Sequence, residues 1–235
     1  MRSDVSVPVG TGTMRLYKAE PDGTPRGAVI ILQEAFGVND HIRDITDRFA
    51  AAGYLAVAPH LFHRSGDPEL GYDDMQEVVP YIMQLQADEI EADLNATLEH
   101  LATSGIEPPQ VATVGFCMGG SIAFVAGCFW KLGAAVTFYG GGIAQSRFGF
   151  PPLFDLAPTL QTPWIGFFGD LDGSIPTNEV EGLRTATSNA AVSAEIVRYS
   201  EANHGFHCDA RSAYHEASAQ DAWQRTLAFL DEQLA

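Results

Sequence analysis

Lysine is almost missing from this chain. Lys18 and Lys131 are the only two, so its cations are nearly all arginine. Against 13 lysines and arginines stand 30 aspartates and glutamates, for a formal net charge of −17 at pH 7. Such acidity argues against nucleic acid and anionic membrane surfaces as partners, and it favours solubility without bearing on fold. Cysteine is scarce too. Three in 235 residues, an odd number, do not make a disulfide framework. The chain has no CxxC pair and no HExxH, so neither a metal nor a cofactor is expected. No run of 18 apolar residues is present, which excludes the sequence pattern of a transmembrane helix. The opening Met1-Arg2-Ser3-Asp4-Val5-Ser6 lacks an apolar core, so no secretory signal is expected and a reducing cytoplasm is the simplest setting.

What is present suits a globular protein: 46% hydrophobic and 18% charged residues. Apolar, β-branched runs predict strands at 5–9, 14–18, 28–33, 54–58, 111–115, 134–139, 164–169 and 195–199. Helical patterns fall at 40–52, 118–131, 178–189 and 218–234, with a long one at 73–103 that Pro80 should break. Asn39-Asp40 is an N-cap signal and Gly53 a C-terminal stop. Segments 61–71 and 140–161 are rich in glycine and proline and read as loops. No repeat or linker divides the chain, so residues 1–235 are expected to form a single α/β domain. Its sheet should be mostly parallel and doubly wound, because the central strands are continuous hydrophobic runs.

The chemistry begins at Gly115-Phe116-Cys117-Met118-Gly119-Gly120, directly after the apolar run Val111–Val114. This matches the nucleophile elbow G-x-S-x-G, in which a strained strand-to-helix turn exposes the central side chain above the sheet. Cysteine stands where serine is usual, and its thiolate is the better nucleophile. The Met118 N–H would then be free to stabilise an oxyanion. A thiol needs a base and the base an orienter. His204, in a loop after the last predicted strand, occupies the chain position expected of the histidine. The remaining histidines, His41, His60, His63, His100, His207 and His215, read as surface or supporting groups, with His63 able to line the pocket. Asp170 and Asp172 both follow the strand at 164–169. Asp172 is favoured as the acid, and Asp170 as a turn former or loop hydrogen-bond acceptor. Glu34 directly follows a strand that should be buried, where an unpaired carboxylate is costly. It is either part of a site or a solvated loop residue, and the adjacent Ala35 N–H can supply a second oxyanion donor. Cys128 lies on the apolar helix after the elbow and is expected in the core.

Gln33-Glu34-Ala35-Phe36-Gly37-Val38-Asn39, the Cys117 elbow, the Asp172 and His204 loops, Ala58–Arg64 and Phe138-Tyr139-Gly140 together resemble the dienelactone hydrolases over nearly the whole chain. The resemblance implies an α/β-hydrolase fold: a twisted, mostly parallel sheet of about eight strands with helices on both faces. It implies an ester-bond hydrolase, similar to carboxymethylenebutenolidase. Cys117 would be nucleophile, His204 general base and acid, Asp172 its orienter, and Glu34 the acid that holds the resting thiol and helps form the thiolate. Ala35 and Met118 would form the oxyanion hole, with Phe36, Arg64 and Tyr139 near the substrate. The expected partner is a small ester or lactone substrate, and the chain is expected to be a monomer or small homo-oligomer. Two departures bear on substrate. No arginine occurs between Arg64 and Arg147, and Cys208 stands where a substrate-binding cation would follow the histidine, with Arg211 as a nearby substitute. A neutral ester or lactone is therefore expected rather than an anionic one. The alternatives are a broad carboxylesterase or thioesterase of the same fold, and a non-catalytic relative that binds a ligand.

Overall fold

The computed structural model describes residues 1–72 and 75–234. Eight strands form one sheet: β1 (Arg2–Val9), β2 (Gly12–Ala19), β3 (Ala28–Leu32), β4 (Leu55–Pro59), β5 (Val111–Phe116), β6 (Ala134–Phe138), β7 (Trp164–Gly169) and β8 (Ala194–Tyr199). Their spatial order is β1-β2-β4-β3-β5-β6-β7-β8. The β1–β2 and β2–β4 pairs are antiparallel and all later pairs parallel. Every residue of β3 to β7 is buried, as the unbroken hydrophobic runs require when both faces are covered. This is the α/β-hydrolase arrangement.

Helices α1 (Asp40–Ala51), α2 (Met75–Ile82), α3 (Ala87–Ala102), α4 (Met118–Phe129), α5 (Leu153–Leu156), α6 (Thr177–Thr187) and α7 (Glu216–Gln233) flank the sheet. The Asn39 side chain accepts from the Ile42 N–H at 3.2 Å and so caps α1 as its sequence predicts. Phe49 of α1 meets Trp223 of α7 at 4.7 Å between ring centroids, which joins those two helices. Trp130, just past α4, donates to Asn95 of α3 at 2.9 Å.

The long helical pattern divides later than expected. Asp73, where it was to begin, lies outside the described residues. Pro80 sits inside α2 and does not end it. A proline removes one backbone donor, and so short a helix has few bonds to lose. The break comes at 83–86, where tight turn bonds such as Leu85 N–H to Ile82 O (3.3 Å) replace the helical ladder. The four-residue α5 also falls in a stretch expected to be loop, too short to show a hydrophobic period.

The strand order places the site. From β3 the chain moves outward to β4, then returns to β5 on the other side of β3. Ligands of open α/β sheets bind at such a reversal, beyond the carboxyl ends of the strands. Leu32 of β3 pairs in register with Gly115 of β5, so Glu34 and Cys117 leave adjacent strand ends.

Candidate active site

Cys117 has φ 53° and ψ −113°, in the left-handed region that L side chains avoid. It joins β5 to α4 with its N–H bonded to Phe138 O at 3.0 Å. The glycines around it allow close approach. A Cβ on Gly115 would stand 1.9 Å from Gly119 O, and one on Gly119 would stand 2.2 Å from Leu32 O. Two hydroxyls pin the first turn of α4 against neighbouring segments. Thr137 donates to Gly120 O at 2.8 Å while accepting from the Trp164 indole at 2.9 Å, and Ser121 donates to Gly141 O at 2.8 Å. The Gly119 N–H is taken by Gln33 O at 3.0 Å. Met118, as first residue of α4, has no preceding helical turn to accept its N–H.

His204 Nδ1 lies 2.6 Å from Asp172 Oδ2. The other oxygen of Asp172 accepts from the Ser174 N–H at 2.8 Å and the Ser174 hydroxyl at 2.6 Å. Burial works against charge on His204, yet its electrostatic interaction with Cys117 and its bond to Asp172 outweigh it and push the imidazole up to about 10. Burial alone would raise the Asp172 carboxyl, but His204 and Ser174 hold it below the usual range.

Glu34 is fully buried. Its Oε1 accepts from the Tyr139 hydroxyl at 3.3 Å and from Arg211 at 3.4 Å, while Oε2 has no hydrogen-bond partner. Of the two charged groups expected beside Cys117 from sequence, His204 is bonded to Asp172, whereas the bonds of Glu34 go to Tyr139 and Arg211. Tyr139 has φ 41°, is fully buried, and sets its ring on His204 at 5.0 Å. Burial, then the charge of Glu34, raises its hydroxyl well above the usual range, which keeps it a donor. Arg211 lies over the rings of Phe36 (5.5 Å) and Tyr72 (5.6 Å), and these two rings meet edge to face at 4.6 Å. Gln33, also fully buried, links β3 to β4 by accepting the Leu61 N–H at 3.1 Å and donating to Glu34 O at 3.4 Å.

Arg64 is turned elsewhere. Its guanidinium forks onto both oxygens of Asp93 in α3 at 2.9 Å each, with His63 at 3.1 Å from the same carboxylate. His60 and Arg15 bond Asp67. Asp170 accepts from Arg198 at 2.7 Å, the acceptor role its sequence position suggests. Cys128 is buried, and burial pushes its thiol up to about 12. His41 and His207, read from sequence as surface or supporting groups, are both buried against Phe116, at 6.1 and 5.3 Å between centroids. Burial lowers both, His207 to about 3, so they are neutral. Sequence reasoning gave no role to Ser174, Gln33 or Tyr72. Ser174 had a usable signal, since a serine two residues after an aspartate is placed to close an Asx-type turn. A cavity of about 430 Å3 opens between the end of α2 and residues 146–149, lined by Ile82, Leu85, Arg147 and Phe148 among others. Cys117, Glu34 and His204 are not in its walls.

The model of the dienelactone hydrolase family matches residues 14–234. A protein of Escherichia coli, provisionally named carboxymethylenebutenolidase, is 39% identical over 231 residues, covering 94% of this chain and 83% of its own. A Synechocystis protein of the same provisional name is 36% identical over 225 residues, with 93% and 91% covered. The crystal structure of a provisionally assigned dienelactone hydrolase from Klebsiella pneumoniae superposes with a TM-score of 0.91 at 37% identity, covering 99% of this chain and 98% of that one. This chain belongs to the dienelactone hydrolase family, and with it to the hydrolases of ester bonds.

Proposed function

We propose that the chain cleaves small esters or lactones through Cys117, His204 and Asp172, with a covalent acyl-thioester intermediate. The observation that carries this reading is a strained elbow cysteine beside a histidine that Asp172 holds at 2.6 Å and that is raised to about 10, a base placed to take the Cys117 proton as the sulfur attacks. The sulfur attacks the carbonyl carbon, and the carbonyl oxygen gains the negative charge. The N–H groups of Ala35 and Met118 are the candidate donors to that oxyanion, each worth about 3 kcal/mol where such donors have been removed from other enzymes. Collapse breaks the bond to the leaving oxygen, which takes the proton from His204. Water then attacks the thioester, giving its proton to His204, and the sulfur leaves as thiolate. Asp172 keeps the imidazole oriented throughout. Glu34 contributes negative charge near the sulfur, and Tyr139 and Arg211 position it.

Both arginines that could greet an anionic substrate are already engaged, Arg64 with Asp93 and Arg211 with Glu34. We therefore infer a neutral ester or lactone. Wild type, Cys117→Ser and Cys117→Ala are to be assayed on a neutral lactone, a nitrophenyl ester and an acyl-thioester. A loss of at least 10³-fold in Cys117→Ala, with a trapped thioester in wild type by mass spectrometry, is expected. Full activity in Cys117→Ala would sink the mechanism.

A further inference from the structure

We propose that Glu34, His41 and Cys208 form a binding site for a zinc-class divalent cation, buried beside the candidate catalytic centre. The three residues come from distant parts of the chain: the end of β3, the first turn of α1 and the loop after His204. Their ligand atoms all lie within 4.8 Å of one another, and all three side chains are buried.

Two of the three have donor capacity that nothing in the protein uses. Glu34 Oε2 has no hydrogen-bond partner, and neither ring nitrogen of His41 has one. Glu34 is 0% exposed and His41 6%, so water of the bulk solvent does not satisfy them. Buried polar atoms left without partners are costly, and a carboxylate more so than most. A cation between them satisfies both at once. Cys208 supplies the third donor; its thiol donates to the Tyr72 hydroxyl at 3.4 Å and also meets the Ala210 backbone.

The donor set selects the ion. One sulfur, one imidazole nitrogen and one carboxylate oxygen are the ligands of zinc and its neighbours. Calcium and magnesium prefer shells made of oxygen and are disfavoured here. Three protein ligands leave a fourth tetrahedral position open. On binding, the S–H bond of Cys208 breaks, a metal–sulfur bond forms, and the proton leaves to solvent. Glu34 and the Cys208 thiolate then carry two negative charges against a 2+ ion, with His41 neutral. Arg211 is the opposing cation, but it approaches Oε1 and leaves Oε2 free. Tyr72 and Arg211, both partly exposed and each touching one donor, are the side chains past which an ion would enter.

The test is titration of cobalt(II), then zinc(II), into the full chain carrying Cys117→Ala, which removes the rival thiol. One equivalent of cobalt with a thiolate-to-metal absorption band, displaced by zinc, is expected. In the same background Cys208→Ser and His41→Gln should each abolish the band or weaken binding at least tenfold, with far-ultraviolet circular dichroism confirming that each variant is folded. No thiolate band in Cys117→Ala overturns the proposal. So does a band of unchanged strength in either folded double variant. Binding is read rather than turnover, so failure here leaves the hydrolase reading intact.

Discussion

His204 Nδ1 stands 2.6 Å from Asp172 Oδ2, and Ser174 occupies the other carboxylate oxygen with both its N–H and its hydroxyl. The aspartate is thereby fixed at one end before it meets the histidine. With Nδ1 engaged by Asp172, Nε2 is the nitrogen left to serve Cys117.

Replacing the carboxylate tests that division. Asp172→Asn keeps the shape but can present an amide N–H to Nδ1, which favours the wrong tautomer. A fall in kcat of about 10³ to 10⁴ is expected with KM little changed. Ser174→Ala leaves the charge in place and should cost about tenfold or less. Steady-state kinetics on one neutral ester measures both, and a loss under tenfold in Asp172→Asn would remove the orienting role.

The same pair predicts how stability varies with pH. His204 is raised from 6.5 to about 10, so its contribution is fully present below pH 6.5 and fades as the pH climbs toward about 10. Asp172 is lowered from 3.8, so its contribution holds above that value and is lost as the pH falls beneath it. Urea midpoints of wild type and His204→Gln should therefore differ most between about pH 4 and 6.5 and converge near pH 10. The Cys117 sulfur is among the causes of the rise, so Cys117→Ser should move the convergence to lower pH. A gap that widens above pH 7 would contradict the sign.

Arg64 offers a contrast between two roles. If it binds substrate, Arg64→Leu raises KM. Its fork onto the buried Asp93 implies instead that the change strands a carboxylate with only His63 beside it. A stability loss on the order of 2 kcal/mol is expected, below the fully buried range because Arg64 is partly exposed, with KM for a neutral ester within about twofold. Denaturant melts and kinetics on one preparation distinguish the two.

Much of this arrangement was legible in the chain. Eight predicted runs gave eight strands; β3 to β7 are buried on both faces and have no polar alternative to confuse the reading, while β1 and β2 show themselves by alternating burial. Strand ends also marked Cys117, Asp172 and His204, because a loop that follows a strand must emerge at the sheet's carboxyl edge. The direction of a long side chain was not legible. Arg64 sits on a family-like segment, but it is Asp93, 29 residues on, that claims its guanidinium. Nor does sequence bring Glu34, His41 and Cys208 together, for their spacing follows no ligand motif and only the tertiary packing of α1 and the loop after His204 near the end of β3 makes them neighbours.

The backbone at Cys117 supports one more prediction. A non-glycine residue at φ 53° and ψ −113° stores on the order of 1–3 kcal/mol of strain. Glycine relieves it, at an entropic cost of about 0.5–1 kcal/mol in the unfolded chain. Cys117 is only partly buried, so little packing is lost with the side chain. Cys117→Gly should thus leave stability unchanged or raise it by about 1–2 kcal/mol while removing turnover, whereas Cys117→Ala keeps the strain and should gain nothing. Urea unfolding of the three proteins decides the matter. If glycine lowered the midpoint below that of alanine, the elbow would not be strained, and its geometry would owe nothing to catalysis.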